Sequence, residues 1–228
     1  MRMKTTTRMT ALLLLAAASG ACRSKVEPTR EDFTRGMQAY LGQRGDLCIG
    51  RPSWPIDIAE GTNLGSDALQ LPVLERLGLV TSAMLPVRVG GEATPFNARR
   101  YRLTAAGRER YLDRATRRPL APDEPGAAQH ADFCVAKLAL DRVESWEVQP
   151  AAAPTSAMVS YTYTVDAPPW AADPGFQKVF PAVSRVLRGA GTAQLVEGFS
   201  LRPEGWTANE LVPKADAAPH AAPQAAAP

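Results

Sequence analysis

Two histidines, His130 and His220, are all that these 228 residues offer as imidazole bases or ligands. A serine–histidine–acid hydrolase also needs its nucleophile on a tight strand-to-helix turn, and no G-x-S-x-G segment is present. A zinc centre needs several His or Cys ligands at close spacing, whereas Cys22, Cys48 and Cys134 lie far apart in the chain. His130 therefore reads as a surface residue, and no metal, cofactor or catalytic residue is assigned. Paired carboxylates can cleave glycosidic bonds. Asp57 and Glu60 flank one extended segment, and Asp141, Glu144 and Glu147 follow one another along a second. No spacing brings two of these acids together, and caps or solvated strand faces account for them.

The arginines are more pointed. Arg99, Arg100, Arg102, Arg108, Arg110, Arg114, Arg117 and Arg118 crowd into twenty residues, opposed only by Glu109 and Asp113. Guanidinium groups suit phosphates and carboxylates, so Arg99, Arg100, Arg102 and Arg108 are the candidate anion- or partner-binding residues. The competing reading is a solvated face balanced by acids elsewhere. Trp54, Trp170 and Trp206 sit beside prolines or turns and, with Tyr161 and Tyr163, are placed either to floor a ligand cleft or to pack a core.

These side chains must be positioned by elements, and the pattern supplies them. Thr29 caps a helix with Phe33, Met37, Tyr40 and Leu41 on one face, ended by Gly45. Trp54 to Ile58 reads as extended. From Ser66, Leu69, Leu74 and Leu77 form the apolar face of a helix that holds Pro72. Gly78 is its left-handed stop, with Leu79 folding back on Leu74. Met84–Val89 and Phe96–Leu103 read as strands joined by a loop beginning at Gly90-Gly91, and Thr104 caps a helix carrying Arg108, Tyr111 and Leu112. Further on, Phe133–Val148 makes one long strand or two, and Met158–Val165 alternates as a half-buried strand. Asp173-Pro174 starts a helix that Pro181 bends or breaks. Gln194–Leu201 and Trp206–Leu211 complete the order β-β-α-β-β. The class is α+β: a small helix-plus-hairpin unit, then an antiparallel sheet with one helix packed across it.

Two stretches resemble known families. Arg2, Lys4 and Arg8 precede the apolar run Ala11–Ala18, and small residues lead to Cys22. This layout is that of a secretory signal, and it resembles the lipobox of bacterial lipoproteins, with Ser19 where the family has leucine. The resemblance implies cleavage before Cys22, a lipid on that cysteine and, with Arg23 and Ser24 following, transfer to the outer membrane. The run falls short of the roughly 20 apolar residues a membrane span needs; cleavage after Ala18 or Ala21 to release a soluble protein stays open. With Cys22 used, Cys48 and Cys134 form an even pair, which in an oxidising periplasm normally bonds; two buried free thiols are the alternative. The second stretch is Leu74-Glu-Arg-Leu-Gly-Leu-Val80 with Arg100-Tyr-Arg-Leu-Thr-Ala-Ala-Gly-Arg108. It resembles the wing region of winged-helix proteins, although Pro72 stands inside the helix and no basic recognition helix precedes it. The resemblance implies a helix-plus-hairpin fold and not DNA binding.

The formal charge of +3 comes from 26 basic and 23 acidic residues, and Arg2, Lys4 and Arg8 alone account for the excess. A mature chain from Cys22 is thus electrically balanced, with no global attraction to nucleic acid. The expected organisation is a signal peptide over 1–21, an anchored linker over 22–28, a winged-helix-like unit over 29–128, an antiparallel α+β unit over 129–212, and a disordered tail over 213–228. Eight alanines and three prolines in the last fifteen residues leave that tail too little to bury. The expected function is that of a lipid-anchored envelope protein on the periplasmic face of the outer membrane. It would contact the membrane through Cys22 and engage a protein or anionic envelope partner, without catalysis and without nucleic acid. An immunity or inhibitor lipoprotein that blocks a periplasmic toxin or envelope hydrolase is the alternative, and a glycan- or lipid-processing enzyme the remoter one.

Overall fold

The computed structural model describes residues 27–61, 65–88, 95–149 and 155–213. The signal segment with Cys22, the loop at Gly90-Gly91 and the Ala/Pro-rich tail from Lys214 lie outside the described residues.

Helix α1 (Arg30–Arg44) is opened by a reciprocal capping box between Thr29 and Asp32 and closed at Gly45, whose N–H donates to the Leu41 carbonyl. Strand β1 (Asp46–Cys48) follows directly. Strand β2 (Ile56–Ala59) comes next, and then helix α2 (Ser66–Arg76), which continues through Pro72. Its buried side chains are Leu71 and Leu74, whereas Leu69, expected on the apolar face, is 67 % exposed. Gly78 takes a φ of +74°, and the Leu79 N–H donates back to the Leu74 carbonyl at 2.9 Å, the left-handed stop that the sequence implies. Strands β3 (Val80–Val87) and β4 (Phe96–Leu103) form a hairpin, and β2 joins it on the far side of β4.

The helix after Thr104 is shorter than expected: α3 covers only Ala105–Arg108, and Tyr111 and Leu112 belong instead to strand β5 (Tyr111–Asp113). Tertiary pairing overrides the local preference. Tyr111 is fully buried opposite Phe133, and its hydroxyl donates to the Pro52 carbonyl. A short helix α4 (Ala127–His130) leads into β6 (Ala131–Gln149), one continuous strand of nineteen residues. Strand β7 (Ser156–Asp166) pairs along it, and Asp173 caps helix α5 (Pro174–Val179) by accepting from the Phe176 N–H. Pro181 breaks the helical run, because the residue before a proline is pushed out of the helical region. Phe180 has φ −120° and ψ 63°, and helix α6 (Pro181–Gly189) starts afresh. Strands β8 (Leu195–Arg202) and β9 (Gly205–Ala208) and a 3₁₀ turn over Asn209–Leu211 end the described chain.

The larger sheet is a curled antiparallel one in the order β1-β6-β7-β8-β9, with β5 also on β6; the smaller is β2-β4-β3. The helix lying across the larger sheet is α1, from the other end of the chain: Phe33, Met37 and Leu41 pack with Val143, Val159, Tyr161 and Phe199. Helix α5 instead contributes Phe176 to a second core with Leu71, Leu74, Leu79, Tyr101, Tyr111 and Phe133. Strand β6 feeds both cores. Cys48 and Cys134 face each other across β1 and β6 at disulfide distance, Sγ to Sγ 2.07 Å. A bridge over 86 residues of sequence restricts the unfolded chain by on the order of 4–5 kcal/mol in the chain-entropy view.

Candidate functional site

Pleating separates the arginines that the sequence crowds together. Along β4, Tyr101 and Leu103 are buried while Arg102 is exposed, and strand alternation sends Arg99 to the opposite face from Arg100 and Arg102. Arg100 stands beside Asp57 in the β2–β4 register and makes a two-pronged pair with its carboxylate, both contacts at 2.7 Å. That hydrogen bonding lowers the Asp57 pKa and raises that of Arg100. Arg117 pairs with Asp46, and Arg118 with Glu124. Arg99 donates to the Ser82 hydroxyl at 3.2 Å and Arg108 to the Leu103 carbonyl at 3.1 Å. Neither these two nor Arg102 has a carboxylate at ion-pair distance among the described residues. The four arginines singled out in the sequence do not converge on one point.

Two other arginines do share a cleft. The last turn of α1 brings Gln43 and Arg44 beside Asp46 and Cys48 of β1, Leu112 and Asp113 of β5, Arg114, and Asp132 and Cys134. This cleft, of about 240 Å³, adjoins a second of about 330 Å³ that shares Gln43, Arg44 and Arg114 and adds His130. The acids along it are already engaged. Asp46 pairs with Arg117 and Lys137. Asp113 accepts from the N–H groups of Ala115 and Thr116, which hold its carboxyl below the usual value. Asp132 accepts from the N–H groups of Arg51 and Phe133. Arg44 and Arg114 have no carboxylate partner among the described residues. The uncommitted charge of the cleft is therefore positive, and two guanidinium groups lining one cleft are suited to a phosphate or carboxylate.

A third constellation is acidic. In β8, Glu197 stands opposite Val159 and two residues from the buried Phe199, so alternation points it toward the α1 side of the sheet. Tyr40 of α1 reaches the same place: its hydroxyl donates to Glu210 Oε2 at 3.4 Å. Tyr161, only 4 % exposed, feels the charge of both acids. Burial, helped by the negative Glu210, raises the Glu197 pKa, although the Tyr40 hydroxyl acts the other way. Burial first and the two carboxylates second push Tyr161 to about 12 and raise Tyr40 as well, so both phenols stay protonated.

The carboxylates considered from sequence stay apart in separate contacts. Asp57 holds Arg100, and Glu60 accepts from Asn97. Asp141 accepts from the buried Thr162, and Glu144 pairs with Arg142. Glu147 lies opposite Met158 on the β6–β7 pair. The aromatics are divided as well, Trp54 and Trp170 joining one core and Tyr161, Tyr163 and Trp206 the other. Among the described residues no three His, Cys, Asp or Glu side chains gather as metal ligands, and no helix is long and apolar enough to cross a membrane. No family model, curated protein or solved structure matches the chain.

Arg44 carries no local signal in the sequence, because its role depends on β5 and α4 being brought against the end of α1. Glu197 does carry one. An acid in phase with Leu195 and Phe199 on a strand breaks the apolar alternation.

Proposed function

We propose that this chain is an outer-membrane lipoprotein whose folded part stands in the periplasm and binds an anionic envelope component or an acidic protein surface, without catalysing a reaction. The observation that carries the reading is the cysteine count. Cys48 and Cys134 pair with each other at disulfide distance. The odd cysteine is then Cys22, the one that ends the signal-like run. A bonded pair also suits an oxidising compartment. In this reading Arg44 and Arg114, with His130 beside them, hold the anion. Helix α2 with the β3–β4 hairpin is a winged-helix-like scaffold, its Arg100 occupied by Asp57 rather than free for phosphate.

The test is expression in a Gram-negative host, cell fractionation and intact mass for wild type and Cys22→Ala. The expected result is a membrane-bound wild type carrying a triacyl mass increment that Cys22→Ala lacks. A soluble cytoplasmic protein that retains Met1 overturns the reading.

A further inference from the structure

We propose, building on the anion reading of the cleft shared by Arg44 and Arg114, that its ligand is a phosphate group and that Arg117 keeps it receptive. Arg117 lines neither cleft and acts from behind, by neutralising Asp46.

The cleft wall alone has the wrong sign for an anion. Asp46, Asp113 and Asp132 line it together with Arg44 and Arg114, so carboxylates outnumber guanidiniums by one. Backbone N–H groups fix Asp113 and Asp132 in place but leave their charge. Asp46 is different. Its side chain is only 14 % exposed, and two cations from outside the wall meet it: Arg117 Nε lies 2.8 Å from Oδ2 and Lys137 Nζ 3.8 Å from Oδ1. Counting these two turns the excess positive by one. The Arg117 contact is one of charge, since the buried Nε makes no aligned hydrogen bond. Both cations also donate to the Gly42 carbonyl in the last turn of α1, Arg117 at 3.3 Å and Lys137 at 2.8 Å. They thereby offset the negative end of the helix dipole beside the cleft.

The backbone of Arg117 is an independent observation. Its φ of +62° makes it the one non-glycine residue in the left-handed region among the described residues. The turn around it is closed by the main chain, with the Arg117 N–H donating to the Asp113 carbonyl at 2.7 Å and the Asp113 N–H to the Arg118 carbonyl at 2.9 Å. Glycine holds such a conformation without strain. A strained residue persists where its surroundings hold it, and here the grip is on Asp46 and the Gly42 carbonyl, across the junction of α1 and β1.

The two guanidiniums select the ligand. A carboxylate has two oxygens in one plane and is satisfied by a single guanidinium fork. A phosphate presents oxygens in several directions and can bond two forks from separate elements, here the end of α1 and the residue after β5.

The experiment is calorimetric titration of the purified full-length chain with inorganic pyrophosphate at low ionic strength, with citrate, of similar charge, as the comparison. Wild type should bind pyrophosphate at one site, and citrate about tenfold more weakly. Glycine suits the left-handed backbone, so Arg117→Gly should melt within a few degrees of wild type. Its pyrophosphate affinity should nevertheless fall about tenfold, because the released Asp46 charge faces the ligand. Arg117→Gly combined with Asp46→Asn should return to within about twofold of wild type, a rescue that neither a structural role nor direct contact of Arg117 with the ligand produces. Failure of pyrophosphate to bind wild type overturns the anion reading of the cleft, and this inference with it. Unchanged affinity in Arg117→Gly, no rescue by Asp46→Asn, or citrate binding as tightly as pyrophosphate overturns this inference and leaves the anion reading standing.

Discussion

At the scale of single residues, the fold tolerates one acid that works against it. The chain places Glu197 among Val159, Tyr161 and Phe199, where burial raises its pKa above the usual carboxylate value. Tyr40 from α1, Tyr161 from β7 and Glu210 after β9 are the titratable groups coupled to it. With both phenols neutral, the charge that bears on it among the described residues is the like charge of Glu210. The folded state therefore keeps the Glu197 proton at pH values where the unfolded chain has lost it. Stability must fall as pH rises from the unfolded carboxylate value through the raised folded one, and then stay level. Glu197→Gln removes this penalty and keeps an acceptor for Tyr40. Its melting temperature should exceed that of wild type by a few degrees at pH 7, with the gap closing as the pH drops below about 4. Melting curves across that range decide it, and a gap independent of pH would mean that the carboxylate is not the strained group. Asp173 shows the opposite case: Arg76 and the Phe176 N–H hold its carboxyl down to about 2, so its contribution is present at neutral pH and lost only in strong acid.

At the scale of elements, the packing of α1 on the larger sheet depends on the absence of a side chain. A Cβ on Gly36 would lie 2.6 Å from the Trp206 carbonyl oxygen and 2.7 Å from Cε1 of Phe199. One neighbour is backbone and the other the ring of a fully buried residue, so neither can move aside cheaply. Gly42, six residues later on the same helix, has nothing within 4 Å of such a Cβ. The two glycines should thus respond oppositely to alanine. Gly36→Ala should destabilise by about 1–3 kcal/mol, because overpacking outweighs the gain in helix propensity. Gly42→Ala should stabilise by up to ~1 kcal/mol. Urea denaturation with a common slope measures both, and a stabilised Gly36→Ala would show that α1 sits further from β9 than described. This contact also marks what was readable in the sequence. Thr29, Gly78 and Asp173 announce their helix boundaries through local chemistry, and the alternation in β7 announces a sheet. Which helix covers that sheet is not local. The apolar face of α1 and that of the helical segment after Asp173 are equally good candidates by pattern, and only the meeting of Phe33 with Trp146, Phe199 and Trp206 settles the choice. Tyr111 and Leu112 were unreadable for the same reason, since their strand exists through its pairing with β6.

At the scale of the whole molecule, the balance of charge hides a separation of charge. Clustering in sequence directs attention to Arg99, Arg100, Arg102 and Arg108, yet the fold distributes the first three over two faces of a small sheet, puts Arg108 at the end of α3 and neutralises Arg100 with Asp57. The uncommitted positive groups that share a concave surface are Arg44 and Arg114, seventy residues apart in sequence and joined only because β1 and β5 both pair with the start of β6. A patch of this kind acts through field as well as contact, so its reach is set by salt. At about 0.15 M ionic strength the screening length is ~8 Å, and an exposed pair of arginines then holds an anion weakly unless the ligand bonds both. Inorganic tripolyphosphate carries enough oxygens to bridge them. Arg44→Ala combined with Arg114→Ala should weaken tripolyphosphate binding about tenfold or more at low salt, and the difference should shrink as salt rises. Arg102→Ala with Arg108→Ala should cost little, because those side chains share no cleft with the first two. Calorimetric titration of the two double variants against wild type separates the cases. A larger loss from the hairpin pair would return the anion site to the wing, while a loss confined to Arg44 and Arg114 would place it at the seam between the end of α1 and β5.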